Sequence, residues 1–160
     1  MHRLARFLAA GLLWIGVSGQ APAQEARLTV SDANQSVELT QEQLDGLGQE
    51  IIETSTPNLP GWPEAGKAKF SGPLMADVLS EAGLAGETIT AEAADGYRVD
   101  IPRERLTADG AILATRMNDE PLPEDKAPFW IVFPYDRSPD INHSDHYDWS
   151  VWALTKLDVN

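Results

Sequence analysis

The side chains best suited to chemistry crowd together near the C-terminal end. His143, Asp145, His146 and Asp148 fall within six residues, and Asp136 and Asp140 lie just upstream. Imidazole and carboxylate donors suit zinc, copper or nickel, and alternate positions of a strand can present them on one face. The spacing works against such a site, because His143 and His146 are three apart and an extended strand would point them to opposite faces. A solvated acidic loop ahead of the last strand accounts for the same residues and is the reading the pattern favours. A variant of it is a pH-sensitive loop, since histidines among carboxylates hold their protons more tightly. Ser138 and Ser144 stand near the histidines without the strand-turn-helix setting of a nucleophile. No carboxylate pair stands out as an acid–base dyad, and no glycine loop of the phosphate-cradling kind occurs.

A second group is aromatic: Trp62, Trp130, Tyr135, Tyr147, Trp149 and Trp152. Trp130 and Trp152 fall on predicted closing strands and read as core. Trp62, Tyr135 and Tyr147 fall in predicted loops, where an aromatic side chain has reason to contact a ligand or partner.

Composition narrows the chemistry further. The 160 residues include no cysteine, which removes thiolate nucleophiles, cysteine–zinc sites, iron–sulfur clusters and covalent haem together. At the N-terminus, Arg3 and Arg6 precede an apolar run from Phe7 to Val17, and Ala21-Pro22-Ala23 forms a small-x-small cleavage site. Residues 1–23 are therefore expected to be a Sec-type signal peptide, with the mature chain periplasmic and no membrane insertion after cleavage. The apolar run is shorter than the ~20 residues that span a bilayer. The segment holds two of the twelve Lys and Arg residues and none of the 25 acids, which leaves a mature net charge of −15. So acidic a surface repels nucleic acid and anionic membranes. Residues 24–160 are about one domain's worth of chain.

The elements that must position these groups are short. Strands are predicted at Arg27–Ser31, Ser36–Leu39 and Gln49–Thr54. Between the last two, Thr40 and Gln43 form a capping box for a brief helix that ends near Gly46 or Gly48. Pro57 to Gly66 is a long loop around Trp62, the kind that often carries function. Gly72-Pro73 is expected to open a helix with Pro at its first position, whose apolar stripe is Leu74, Met75, Val78, Leu79 and Ala82. Thr88–Ala94 and Tyr97–Ile101 alternate in polarity around Asp95-Gly96 and predict a hairpin. Ile112–Met117, Phe129–Phe133 and Trp149–Val159 complete the strands. Strands and short helices out of βαβ rhythm imply an α+β fold with a mixed, mainly antiparallel sheet.

In this order and spacing the segments resemble a known family. Lys69-Phe70-Ser71-Gly72-Pro73-Leu74 leading into Asp77-Val78-Leu79, the Asp95-Gly96-Tyr97 hairpin, and Ala114-Thr115-Arg116-Met117-Asn118-Asp119-Glu120-Pro121-Leu122-Pro123 all match its pattern. So do Phe129-Trp130-Ile131-Val132-Phe133-Pro134 and Trp149-Ser150-Val151-Trp152. Together they resemble the oxidoreductase molybdopterin-binding domain, the fold of sulfite oxidase, from about Leu28 to Val159. The resemblance implies a molybdenum-ligating cysteine just after the third strand. This chain has Thr54-Ser55-Thr56-Pro57-Asn58 there, so Ser55, Thr56 and Asn58 occupy the cofactor position with oxygen in place of sulfur, a harder and less acidic donor. Basic residues that the family offers near the pterin phosphate are replaced in Pro128-Phe129-Trp130 and Val151-Trp152-Ala153. Holo-enzymes of this kind leave the cytoplasm folded by the twin-arginine route, and Arg3-Leu4-Ala5-Arg6 is no twin-arginine pair. The expectation is a periplasmic binding or sensing module without cofactor, taking a small molecule or a periplasmic or membrane protein partner in a vestigial pocket rimmed by Trp62, Tyr135 and Tyr147. The alternative is a molybdopterin-dependent oxidoreductase with Ser55 or Thr56 as an oxygen ligand to molybdenum.

Overall fold

The computed structural model describes residues 25–63 and 66–160, and the expected signal peptide, residues 1–23, lies outside them. The elements run β1 (Arg27–Ser31), β2 (Ser36–Thr40), α1 (Gln41–Asp45), β3 (Gln49–Ser55), β4 (Lys67–Pro73), α2 (Met75–Ala82), β5 (Thr88–Ala93), β6 (Arg98–Pro102) and α3 (Arg103–Ala108). They continue with β7 (Ile112–Ala114), β8 (Arg116–Met117), β9 (Glu120–Pro121), β10 (Trp130–Val132), a single 3-10 turn (Tyr135–Arg137), α4 (Ser144–Asp148) and β11 (Leu154–Val159). Three sheets form, ordered β2-β1-β11-β5-β6, β3-β4-β8-β9 and β10-β7. Only β1 and β11 pair in parallel; the other ladders among the described residues are antiparallel. The mixed, mainly antiparallel α+β architecture matches the expectation. Among the described residues no helix is long and apolar enough to cross a membrane.

Several elements form for the local reasons legible in the sequence. Thr40 caps α1 through the Gln43 N–H, and the Gln43 side chain returns a bond to the Thr40 N–H. The α2 stripe buries Met75, Val78, Leu79 and Ala82, and Gly83 ends the helix at φ +69°. Asn118 and Asp119 both take positive φ in the two-residue turn between β8 and β9, a conformation that short polar side chains tolerate.

Two expectations need correction. Lys67–Pro73 is a strand rather than a helix start: it pairs along its whole length with β3, and Pro73 closes the ladder opposite Gln49. Gly72 serves this strand by letting it lie against β7, since a Cβ there would stand 1.9 Å from the Leu113 carbonyl oxygen. The predicted final strand is also shorter, because Trp149–Ala153 crosses the molecule irregularly and only Leu154–Val159 joins the sheet. α3 has no counterpart among the predicted elements.

The core packs between the sheets and α2. Leu28, Val30, Phe70, Met75, Val78, Ile89, Ile101, Leu113, Phe129, Trp130, Ile131 and Leu157 are all fully buried.

Candidate functional site

The loop after β3 folds inward. Within it the Leu59 N–H donates to the Pro57 carbonyl at 2.9 Å and the Trp62 N–H to the Leu59 carbonyl at 3.1 Å. Gly61 sits at φ +85°, where a side chain would be strained, and a Cβ would meet the Trp152 ring at 3.2 Å. These turns drive the Trp62 indole into a ring of aromatics. Its centroid lies 5.3 Å from Trp130, 5.7 Å from Tyr135, 5.8 Å from Trp152 and 6.3 Å from Tyr147. The tilted and edge-on geometries are those that ring quadrupoles favour.

The segment before β11 supplies the opposite wall. Ala153 adopts φ +47°, a left-handed conformation that costs a residue with a Cβ about 1 kcal/mol or more. It is held there by its N–H donating to the Lys126 carbonyl at 2.9 Å and by the Ala94 N–H donating to its own carbonyl at 2.8 Å. The turn fixes Trp152 against Lys126, whose ammonium lies 3.9 Å from the ring centroid and 3.0 Å from the Asp125 carboxylate. Lys126 is only 7% exposed, so it is a packed cation rather than a surface one.

The β5–β6 hairpin and α4 close the remaining sides. The Tyr97 hydroxyl donates to the Asp148 carbonyl at 3.1 Å and so ties the hairpin to α4. Burial, and then the Asp148 charge, hold the Tyr97 phenol above its ordinary pKa. Between these elements lies a cleft of about 370 Å³ lined by Leu59, Pro60, Trp62, Ala93, Asp95, Tyr97, Tyr147, Asp148, Ser150, Val151 and Trp152. That volume suits a small molecule.

The structure separates the residues singled out in the sequence. Trp62 and Tyr147 line the cleft. Tyr135 does not: it is 1% exposed, and its hydroxyl bonds that of Ser150, which donates in turn to the His146 carbonyl at 2.6 Å. Burial pushes the Tyr135 phenol well above its ordinary pKa. The reason is tertiary, because the 3-10 turn aims Tyr135 back under Trp62. Tyr97, Asp95 and Trp152 complete the cleft and were not singled out as contacts. The hairpin rule located Tyr97 without saying what it faced.

The set His143, Asp145, His146 and Asp148 does not come together as a metal site. The segment is a helix rather than a loop or strand. His143 is exposed and caps it, with Nδ1 accepting from the Asp145 N–H at 3.4 Å. His146 turns inward, 2% exposed, with Nε2 at 2.8 Å from the Asp109 carboxylate and the ring edge-on to Phe133 and Trp149. Its Nδ1 has no hydrogen-bond partner. Among the described residues no group of three His, Asp or Glu side chains could hold a metal ion.

At the end of β3, Asp136 gathers the polar groups. Its carboxylate accepts from the Ser55 N–H at 3.0 Å and from the Ser55 hydroxyl at 3.1 Å, and lies 3.5 Å from the Lys67 ammonium. Its own N–H donates to the Thr54 hydroxyl at 3.1 Å. Partial burial opposes ionisation, but the Ser55 donors and Lys67 outweigh it and hold Asp136 below its ordinary pKa. The Thr56 hydroxyl is turned to the Gly66 carbonyl at 3.4 Å, and Asn58 is exposed.

The mixed, mainly antiparallel sheets with a few short helices have the fold of an oxidoreductase molybdopterin-binding domain. The chain belongs to the oxidoreductase molybdopterin-binding domain family, whose model matches residues 15–135. Its fold is similar to that in the crystal structure of the sulfane dehydrogenase SoxCD from Paracoccus pantotrophus, with a TM-score of 0.63 and 17% identity. The likeness covers 84% of this chain and 38% of that one, so this chain spans well under half of its length. Among curated proteins none matches.

The residues at the position implied for the molybdenum ligand do not fit that metal. The chain has no thiol, the Ser55 hydroxyl donates to Asp136, and the Thr56 hydroxyl is buried on a carbonyl. The neighbouring charge is a carboxylate, and the nearby cation Lys67 is already paired with it. A soft metal with an anionic pterin asks for thiolate and converging cations instead.

Proposed function

We propose that this chain is an exported binding module that keeps the molybdopterin-domain fold, works without the molybdenum cofactor, and holds a small ligand in the aromatic cleft as part of a periplasmic sensing role. The observation that carries the reading is Trp62. The loop that follows β3, where the resemblance implies a metal ligand, instead delivers an indole into contact with four other rings. A fold can outlast its original site and carry another, and a cleft walled by aromatics with a few polar groups is the ordinary form of a small-molecule site.

The test is elemental analysis of native protein purified from the periplasm of a host that makes the cofactor. The expected result is no molybdenum above background and a mature N-terminus at Gln24. A stoichiometric molybdenum content overturns the cofactor-free reading, and an intact Met1 overturns the export reading. Family membership favours a second reading, an oxidoreductase with Ser55 or Thr56 as oxygen ligand. It predicts molybdenum that disappears in Ser55→Ala or Thr56→Ala.

A further inference from the structure

Resting on that reading of the cleft, we infer that its ligand is a small organic cation of the quaternary-ammonium class. The walls present Trp62, Tyr97, Tyr147 and Trp152, and the charged side chains among the lining residues are Asp95 and Asp148, with no Lys, Arg or His. Ring faces carry negative charge density and attract soft cations, most strongly where water is thinned. The same ring system already holds one ammonium, since Lys126 lies against Trp152 without lining the cleft.

The hydrogen-bonding inventory of the walls points the same way. The Tyr97 hydroxyl donates to the Asp148 carbonyl, the Tyr147 hydroxyl to Asn142, and the Ser150 hydroxyl to the His146 carbonyl. All three wall hydroxyls therefore spend their protons within the protein. An anion would find two carboxylates and no hydroxyl proton. A methylated ammonium needs no donor, only aromatic walls and negative charge, and the lining residues supply both. The mature net charge of −15 adds a field that concentrates cations at the surface. Part of this wall, Tyr147 to Trp152, lies beyond the residues 15–135 matched by the family model.

The experiment titrates the mature protein with choline chloride, with its uncharged carbon isostere 3,3-dimethylbutan-1-ol and with glucose, read by tryptophan fluorescence and calorimetry. The expected result is saturable binding of choline, about tenfold or more tighter than the isostere. Asp95→Asn with Asp148→Asn should weaken choline about fivefold or more and leave the isostere unchanged. Asn keeps the Asp95 oxygen that accepts from the Tyr97 N–H at 3.0 Å, so the hairpin should persist. Saturable binding of the isostere or glucose without preference for choline overturns the cation assignment while leaving the cleft as a ligand site. Binding of none of the three overturns the cation assignment too, whereas stoichiometric molybdenum is the separate result that removes the reading beneath it.

Discussion

The two sides of the β3 loop are built on opposite principles. At the end of β3, Ser55, Lys67 and Asp136 form an open polar cluster whose groups satisfy one another at the surface. A few residues on, Trp62 enters an aromatic assembly in which Trp130 and Tyr135 are fully or almost fully buried. One loop thus joins a polar cluster at its start to an aromatic assembly a few residues on. At the polar end the Ser55 N–H, the Ser55 hydroxyl and the Lys67 ammonium all turn to one oxygen of Asp136. The aromatic end leaves ring faces and a cavity, so its chemistry is still available.

Breaking the aromatic side should have the largest effect. Trp62→Ala is expected to cost about 3 kcal/mol of stability in urea unfolding, near the lower end for a large aromatic because Trp62 is only half-buried. A loss under about 1 kcal/mol would mean that the indole rests on the surface rather than holding the loop. Tyr135→Phe comes next, at about 1–2 kcal/mol, because it removes one partner of the buried Ser150 hydroxyl. This variant also carries a pH signature. The folded phenol titrates above its ordinary value, so its stabilising contribution is full below about pH 10 and is lost as the pH rises toward the folded value. Alkaline unfolding of Tyr135→Phe should accordingly be less steep than that of the parent.

The polar side should respond weakly. Asp136→Asn is expected to cost under about 1 kcal/mol near neutral pH, since the ion pair is largely exposed to solvent. Its pKa is depressed in the folded state, so its contribution is full above the ordinary carboxylate value of about 4 and falls away as acid reaches the folded value. A melting curve against pH should thus show the parent and Asp136→Asn converging in acid. The smallest effect is expected for Asn58→Ala, within about 0.5 kcal/mol, because Asn58 is exposed. If Asn58→Ala or Asp136→Asn destabilised as much as Trp62→Ala, the contrast between the two sides would fail.

Much of this architecture is legible in the order of residues along the chain. The capping box at Thr40, the α2 stripe, the Asp95-Gly96 hairpin and the succession of motifs each depend on neighbours a few residues apart. The errors have the opposite character. Gly72-Pro73 satisfies the local rule for a helix start, yet β4 wins because β3 lies beside it along its whole length and β7 packs on Gly72. Tyr135 carries a loop's flanking prolines and polar neighbours, but the long-range bond to Ser150 buries it. His143 and His146 lie in a segment that reads as a solvated acidic loop, yet it forms a helix whose cap leaves one at the surface while the other reaches Asp109.

Residue identities alone settled the chemistry on offer: no thiol among the 160 residues, a formal net charge of −13, and five tryptophans. Folding does not alter any of these. Only the tertiary structure decided that Trp62 and Trp152 meet, that Asp136 claims Ser55, and that Tyr97 shares a cleft with α4. The physical reason is separation along the chain: pairings across some fifty to ninety residues depend on how the sheets and the Trp149–Ala153 crossing pack, and local periodicity carries no information about that packing.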